Sequence, residues 1–414
     1  MAADDPSQLL VAEKVRSATG VQCSEAIGRV LVAAAPFAPG ELVLEEAPLL
    51  AWQEDPMQLF RDFLAAPAWK QALVLDLARS KLSAERAAEH EAVALSASQS
   101  ETSIPIDTAR QILQIVDTNA QQMHSEGEDG TRAGLFARAS KAEHSCRPNC
   151  ASTTQASPGV IRYHAVSPIE VGDRISISYL SELWSTPREA RRNALLEMEK
   201  AFNCNCCRCV ALDDCRGLAC LEANCSGFCF QEGVSLMWRC GKCGSEYDKE
   251  GMKSRLHEEK RLLLRTSQLQ IRAAAASSSS EQELVREELC NLMTELRKHL
   301  APTHYLGILT LETLHTPEFF PGAGNVAAAK AYVNKLKLLD CIAAGCSSAS
   351  CSERHAANAE NWGDADAAIQ FCLAAGSTMF PEALQISESY LPMIHMMASP
   401  RVVEELKGCL ELAE

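Results

Sequence analysis

The chain has 414 residues, enough for two or three domains and a sizeable core. Against 54 Asp and Glu stand 39 Lys and Arg, a net charge of −15 with no basic run, which argues against nucleic acid as a partner because duplex binding needs clustered cations. The acidic start Met1-Ala2-Ala3-Asp4-Asp5 lacks the pattern of a secretory signal, and no apolar run reaches the roughly 20 residues of a membrane helix.

In chain order, residues 28–50 read as short strands around a Pro39-Gly40 turn. Residues 52–140 read as a helical insert: Leu73, Leu75, Leu77 and an Ala-rich stretch come first. Ile112, Leu113, Ile115 and Val116 then make an apolar stripe that runs into Asp117-Thr118-Asn119-Ala120. Within this insert the polar stretches 92–103 and 124–130 are expected as loops. Val160–Val166 then leads through Pro168-Ile169-Glu170-Val171-Gly172-Asp173 to Ile175-Ser176-Ile177-Ser178-Tyr179, whose alternation is that of a half-buried strand. Two strand–turn–strand stretches so far apart predict one β-rich module interrupted by an insert. Beyond Cys243 the period is helical, with Leu284, Val285, Leu289, Leu292, Met293, Leu296 and Leu300 recurring at helical spacing. Ala273–Ser280 is expected as a connector, and Asn325 as the cap of a helix through Cys341. No tandem repeat is visible.

Of 19 cysteines, ten lie between Cys204 and Cys243. In a chain without a secretory signal, such clustering favours zinc over disulfides and a reducing, intracellular setting. Cys204-x-Cys206-x-x-Cys209 offers three thiolates and needs a fourth from elsewhere. Cys220-x4-Cys225 and Cys240-x-x-Cys243 look like the paired knuckles of a small zinc ribbon, with Cys229 competing with Cys220 as a ligand. Cys207 and Cys215 have no partner in either scheme and read as ordinary thiols.

Glu143-His144-Ser145-Cys146-Arg147-Pro148-Asn149, then Gly172-Asp173 and Ile177-Ser178-Tyr179, then Phe202-x-Cys204-x-Cys206-x-x-Cys209 follow one another in a particular order. That order closely resembles the C-terminal half of a SET domain, the S-adenosylmethionine-dependent protein lysine methyltransferase fold. The resemblance covers roughly residues 22–245, and the cysteine cluster after the core is similar to that of the SET-and-MYND type. It implies that Cys146 joins Cys204, Cys206 and Cys209 on one zinc, while Cys220, Cys225, Cys240 and Cys243 hold a second. It implies Tyr179 as the catalytic tyrosine, orienting a substrate amine. For the cofactor it implies Gly28 and Arg29 in the counterpart of a Gly-x-Gly loop, and Asn119, Glu143 and His144 at the amino-acid end. Phe202 would lie over the adenine. Leu135–Ser140 resembles the segment that precedes the first motif, with Phe136 read as core. Three positions depart from the family pattern: Glu143 replaces an Asn, Val30 a second Gly, and Lys200 an aromatic found in many relatives. No cysteine or histidine set between residues 52 and 123 has the spacing of a MYND finger.

The expected fold is α+β. Residues 1–51 and 141–202 form the two parts of a β-rich SET core, 52–140 a helical insert, 203–250 a Cys-rich post-SET zinc region, and 251–414 an all-α C-terminal domain. The expected function is methyl transfer from S-adenosylmethionine to lysine side chains of a protein or peptide substrate, by a monomer that binds neither membrane nor nucleic acid. The alternative is a SET-fold interaction scaffold of little or no activity, supported by Glu143, Val30 and Lys200. His304, at a junction between helices, reads as structural.

Overall fold

The computed structural model describes residues 19–24, 28–53, 55–100, 103–123, 132–155, 159–180, 185–198, 200, 202–314, 325–343, 365, 368, 369, 372 and 379–397. The stretch 124–130, expected as a loop, lies outside them. The chain folds as two compact units, Met1–Leu180 with Arg192–Cys204, and Ser181–Arg191 with Asn205–Glu414.

The first unit opens with strands β1 (Thr19–Ser24), β2 (Gly28–Ala33), β3 (Leu42–Glu46) and β4 (Leu50–Trp52). Helices α1 (Pro56–Ala65), α2 (Ala68–Leu75), α3 (Ala84–Gln99) and α4 (Ile106–Asn119) follow. The remaining strands are β5 (Gln121–Met123), β6 (Arg132–Leu135), β7 (Glu143–His144), β8 (Cys150–Gln155), β9 (Val160–Ala165) and β10 (Ser176–Ile177). The sheets are small: a β1-β2 hairpin, β3-β9-β8, β4-β6-β5, and a parallel pair of β7 and β10. The two distant strand–turn–strand stretches do meet, since β3 pairs antiparallel with β9 and Phe37 bridges to Ile169. Leu31, Val43, Leu44, Phe136, Ile161, Tyr163 and Ile177 pack together as their core. The helices bury Leu59, Phe60, Phe63, Val74, Ile112 and Ile115 in a second cluster.

One expected loop is helical instead, and one expected connector is shorter. Most of 92–103 belongs to α3, which starts at the Ser83 cap, whose side chain accepts from Arg86 N–H. Its composition is polar, but Ala94 and Ala97 are buried, and small residues there suit close packing of helices. The expected connector Ala273–Ser280 does join two helices, but it narrows to residues 276–278 between α7 (Lys253–Ala275) and α8 (Ser279–His299). Ser278 and Glu281 form a capping box there, a Ser-x-x-Glu pattern present in the sequence.

Helix α5 (Arg188–Glu197) begins in the second unit and passes to the first at Arg192; from Asn205 the second unit continues with α6 (Cys207–Val210) and then builds an antiparallel sheet. Its strands are β11 (Leu212–Ala219), β12 (Phe228–Glu232), β13 (Trp238–Cys240) and β14 (Glu246–Tyr247), in that order. After α7 and α8 come α9 (Tyr305–Leu314), α10 (Asn325–Ala343) and α11 (Phe380–Met397). Leu218, Trp238, Met252, Leu262, Leu292 and Leu306 share one cluster, so strands and helices of this unit have a common core. His304 is buried at the α8–α9 junction, where it meets Glu259 at 3.3 Å.

Candidate active site

The parallel pairing of β7 with β10 sets Glu143 opposite Ser176 and His144 opposite Ile177. Two motifs about thirty residues apart in sequence thereby become neighbours. Asn149 fastens them: its Oδ1 accepts from Ser176 N–H at 2.8 Å, and its Nδ2 donates to Arg174 O at 2.9 Å. Just past β10, Tyr179 N–H donates to His144 Nδ1 at 3.1 Å, and the two rings stand 5.2 Å apart. The Tyr179 hydroxyl donates to Ala142 O at 2.7 Å. Burial, then the charge of Glu143, pushes the Tyr179 phenol up to about 12, so it is protonated at neutral pH. Because His144 Nδ1 accepts, a neutral ring carries its proton on Nε2, which lies 3.3 Å from Cys146 Sγ.

Two residues that sequence reasoning missed hold the turn leading into β7. Glu46, fully buried on β3, accepts N–H groups from Ala137, Arg138 and Ala139. Tyr163 on β9 donates its hydroxyl to Ala139 O at 2.9 Å and accepts from Gln121 at 3.0 Å. The available signal was the pair Glu45-Glu46 in an apolar strand: strand alternation must turn one of two adjacent carboxylates inward.

The expected cofactor residues are placed as follows. Gly28 begins β2 with φ +79°, and an added Cβ would meet nothing, so glycine here supplies a left-handed backbone rather than space. Arg29 is paired with Asp76. Asn119, at the end of α4, commits its amide N–H groups to Ala78 O and Ile115 O. The Glu143 carboxylate pairs with Arg174 at 2.9 Å, which offsets its charge. Phe202 is 39 % exposed, with its ring 6.2 Å from that of His144. Lys200 points inward, not to solvent, and donates to Asp117 O and Thr118 O.

A tetrahedral zinc sets the spacing its cysteine ligands must meet. Zn–S bonds near 2.3 Å imply S···S edges of about 3.8 Å, well beyond the ~2.05 Å of a disulfide. In the first unit, Cys146 and Cys204 sulfurs are 3.9 Å apart. In the second, Cys206 and Cys209 lie on one turn at the start of α6, their sulfurs within 4.8 Å, and the buried Arg191 guanidinium is 3.8 Å from Cys209 Sγ. Also in that unit, Cys220, Cys225, Cys240 and Cys243 converge within 4.8 Å, with Cys220–Cys243 and Cys225–Cys240 both at 3.7 Å. Gly227 N–H and Lys242 N–H point at Cys225 and Cys240 sulfurs, as donors to thiolates do. Cys229, opposite Cys240 in register, is outside this group of four. Cys215 lies among Asp213, Asp214 and Arg208, an ion-pair cluster in which Arg208 and Asp214 satisfy each other at 2.9 Å. Cys207 is exposed.

Residues 28–180 match the family model of the SET domain. That stretch is a SET domain, and the curated proteins the chain resembles include members of the SET-and-MYND type. It is 30 % identical over 106 residues to the protein-lysine N-trimethyltransferase SMYD5 of Mus musculus, 24 % of this chain and 26 % of that one. To the histone-lysine N-methyltransferase SMYD3 of Homo sapiens it is 38 % identical over 80 residues, 19 % of this chain and 18 % of that one. The matched stretches thus span about a quarter or less of these relatives' length. Among solved structures, the SET domain of LSMT bound to lysine and AdoHcy aligns over 98 % of this chain and 89 % of that one, at 10 % identity and a TM-score of 0.30, too low to carry argument.

Proposed function

We propose that this SET-domain protein transfers methyl groups from S-adenosylmethionine to lysine side chains of a protein substrate. The observation that carries the reading is Tyr179: a protonated, anchored phenol whose backbone rests on His144, within the span that matches the SET family. S-adenosylmethionine supplies a methyl group on a sulfonium, open to in-line displacement by an amine. Such a displacement asks the protein for alignment more than for proton transfer. Tyr179 orients the amine, and the buried surroundings favour its neutral, nucleophilic form.

Gly28, Arg29, Asn119, Glu143, His144 and Phe202 are the proposed cofactor residues. Three features suit that role: the half-open Phe202 ring offers a stacking face, Arg174 offsets the Glu143 charge, and Asn119 keeps a carbonyl oxygen to accept. Cys146, Cys204, Cys206 and Cys209 are proposed to share one zinc, since Asn205 alone links the two pairs through the chain. Cys220, Cys225, Cys240 and Cys243 are proposed to hold a second. These ions are structural staples. The proposed division is a SET core of 1–51 and 141–202, a helical insert 52–140, a post-SET zinc region 203–250 and a helical C-terminal domain 251–414, without a MYND finger. The protein is proposed to act inside the cell as a monomer, on protein rather than membrane or nucleic acid. No helix among the described residues is long and apolar enough to cross a membrane.

One observation favours the scaffold reading: the Lys200 amine stands over the Tyr179 ring at 5.6 Å. A radiolabelled methyl-transfer assay on cell lysate, comparing the intact chain with Tyr179→Phe, separates the two. Transfer that depends on Tyr179 falls about 100-fold or more in the variant. Equal labelling by both proteins removes Tyr179 from the mechanism, and no labelling by either favours the scaffold.

A further inference from the structure

Lys200 is the residue that the proposed mechanism does not use, and its placement is specific. Its Nζ donates to Asp117 O at 3.1 Å and to Thr118 O at 2.7 Å. These carbonyls belong to the last turn of α4, where helix geometry leaves them without intrahelical donors and the helix dipole makes them attractive to a cation. The same nitrogen lies 5.6 Å from the centre of the Tyr179 ring, within range of a cation–π contact. No carboxylate among the described residues forms an ion pair with it. Burial pushes the amine's pKa down and the nearby Asp117 charge pulls it back. A primary ammonium has three N–H donors, and here two meet carbonyls while the nitrogen also stands against a π system. Nothing in that lining requires the ammonium to be attached to residue 200.

We propose that Asp117 O, Thr118 O and the Tyr179 ring form a binding site for primary ammonium groups, filled in this chain by its own Lys200. On the reading of Tyr179 as the catalytic tyrosine, Lys200 is an internal competitor at the acceptor position, and an incoming lysine engages Tyr179 only after Lys200 has left.

The test uses the full chain and Lys200→Ala, with n-butylammonium chloride as the probe and n-pentanol as an uncharged control of similar length. Thermal melting is followed against probe concentration at constant ionic strength. The expected result is at least tenfold tighter apparent binding of n-butylammonium to Lys200→Ala than to the unaltered chain, with n-pentanol making no such distinction. Equal responses of the two proteins, or n-pentanol matching the ammonium, overturn the proposal. A second measurement needs no variant: acylation of the unaltered chain by acetic anhydride, read by peptide mass spectrometry. Lys200 should react at least tenfold more slowly than Lys253, whose side chain is 73 % exposed, and equal rates overturn the proposal. Neither readout involves methyl transfer. A chain that passes both yet transfers no methyl group loses the proposed function and keeps the ammonium site.

Discussion

Glu46 decides more about the site than its place in a strand suggests. Its two carboxylate oxygens accept from three successive backbone N–H groups, Ala137 to Ala139, and so fix the turn that delivers Glu143 and His144 to β7. Burial pushes this carboxyl up, while the three N–H donors and Lys141 pull it down. Glu46→Gln keeps the shape but sets an NH2 group against N–H donors, leaving at least one buried donor without an acceptor. That costs about 1–3 kcal/mol. Urea unfolding should show a stability loss of that order, and an unchanged midpoint would mean the turn is held by other contacts. Tyr179 and His144 work at the same scale: a single N–H···N bond fixes both the ring tautomer and the start of the segment after β10.

Among the elements, the four-stranded sheet of the second unit is a frame for thiols. Cys220 follows β11, Cys240 ends β13, and the loops after each bring Cys225 and Cys243 to them. Gly233, beyond β12, lies so close to α6 that an added Cβ would come within 2.1 Å of Cys209 O, so the turn after β12 admits only glycine without a backbone shift. If the four thiolates hold an ion, Cys240→Ser should lower the zinc content of reduced, purified protein by about one ion per chain, because a structural site needs four ligands. Unchanged metal content by elemental analysis would exclude Cys240 as a ligand. Much of this level was readable from spacing, because close cysteine pairs and a strand's period of two are local patterns. The Ile175–Tyr179 alternation gave its strand, and Ser278-x-x-Glu281 contained a helix start that the low-complexity run obscured. What spacing does not carry is direction. Lys200 turns inward because carbonyls left over at the end of α4, contributed by residues more than eighty positions earlier, accept from its amine. The inward turn of Glu46 depends likewise on a backbone segment far along the chain.

For the molecule as a whole, the SET match covers residues 28–180, and the resemblance to curated relatives is confined to short stretches. The larger claim therefore rests on whether the first unit accepts the cofactor its motifs imply. Three departures bear on this with different weight. Arg174 offsets Glu143, Val30 is buried within β2, and the Lys200 amine stands over the Tyr179 ring. None of these leaves a negative charge without a partner. Titration calorimetry of S-adenosylmethionine into the zinc-loaded chain is the most direct test. Micromolar binding that survives Lys200→Ala and is lost on chelation is the predicted result; no heat of binding at millimolar cofactor would contradict the account.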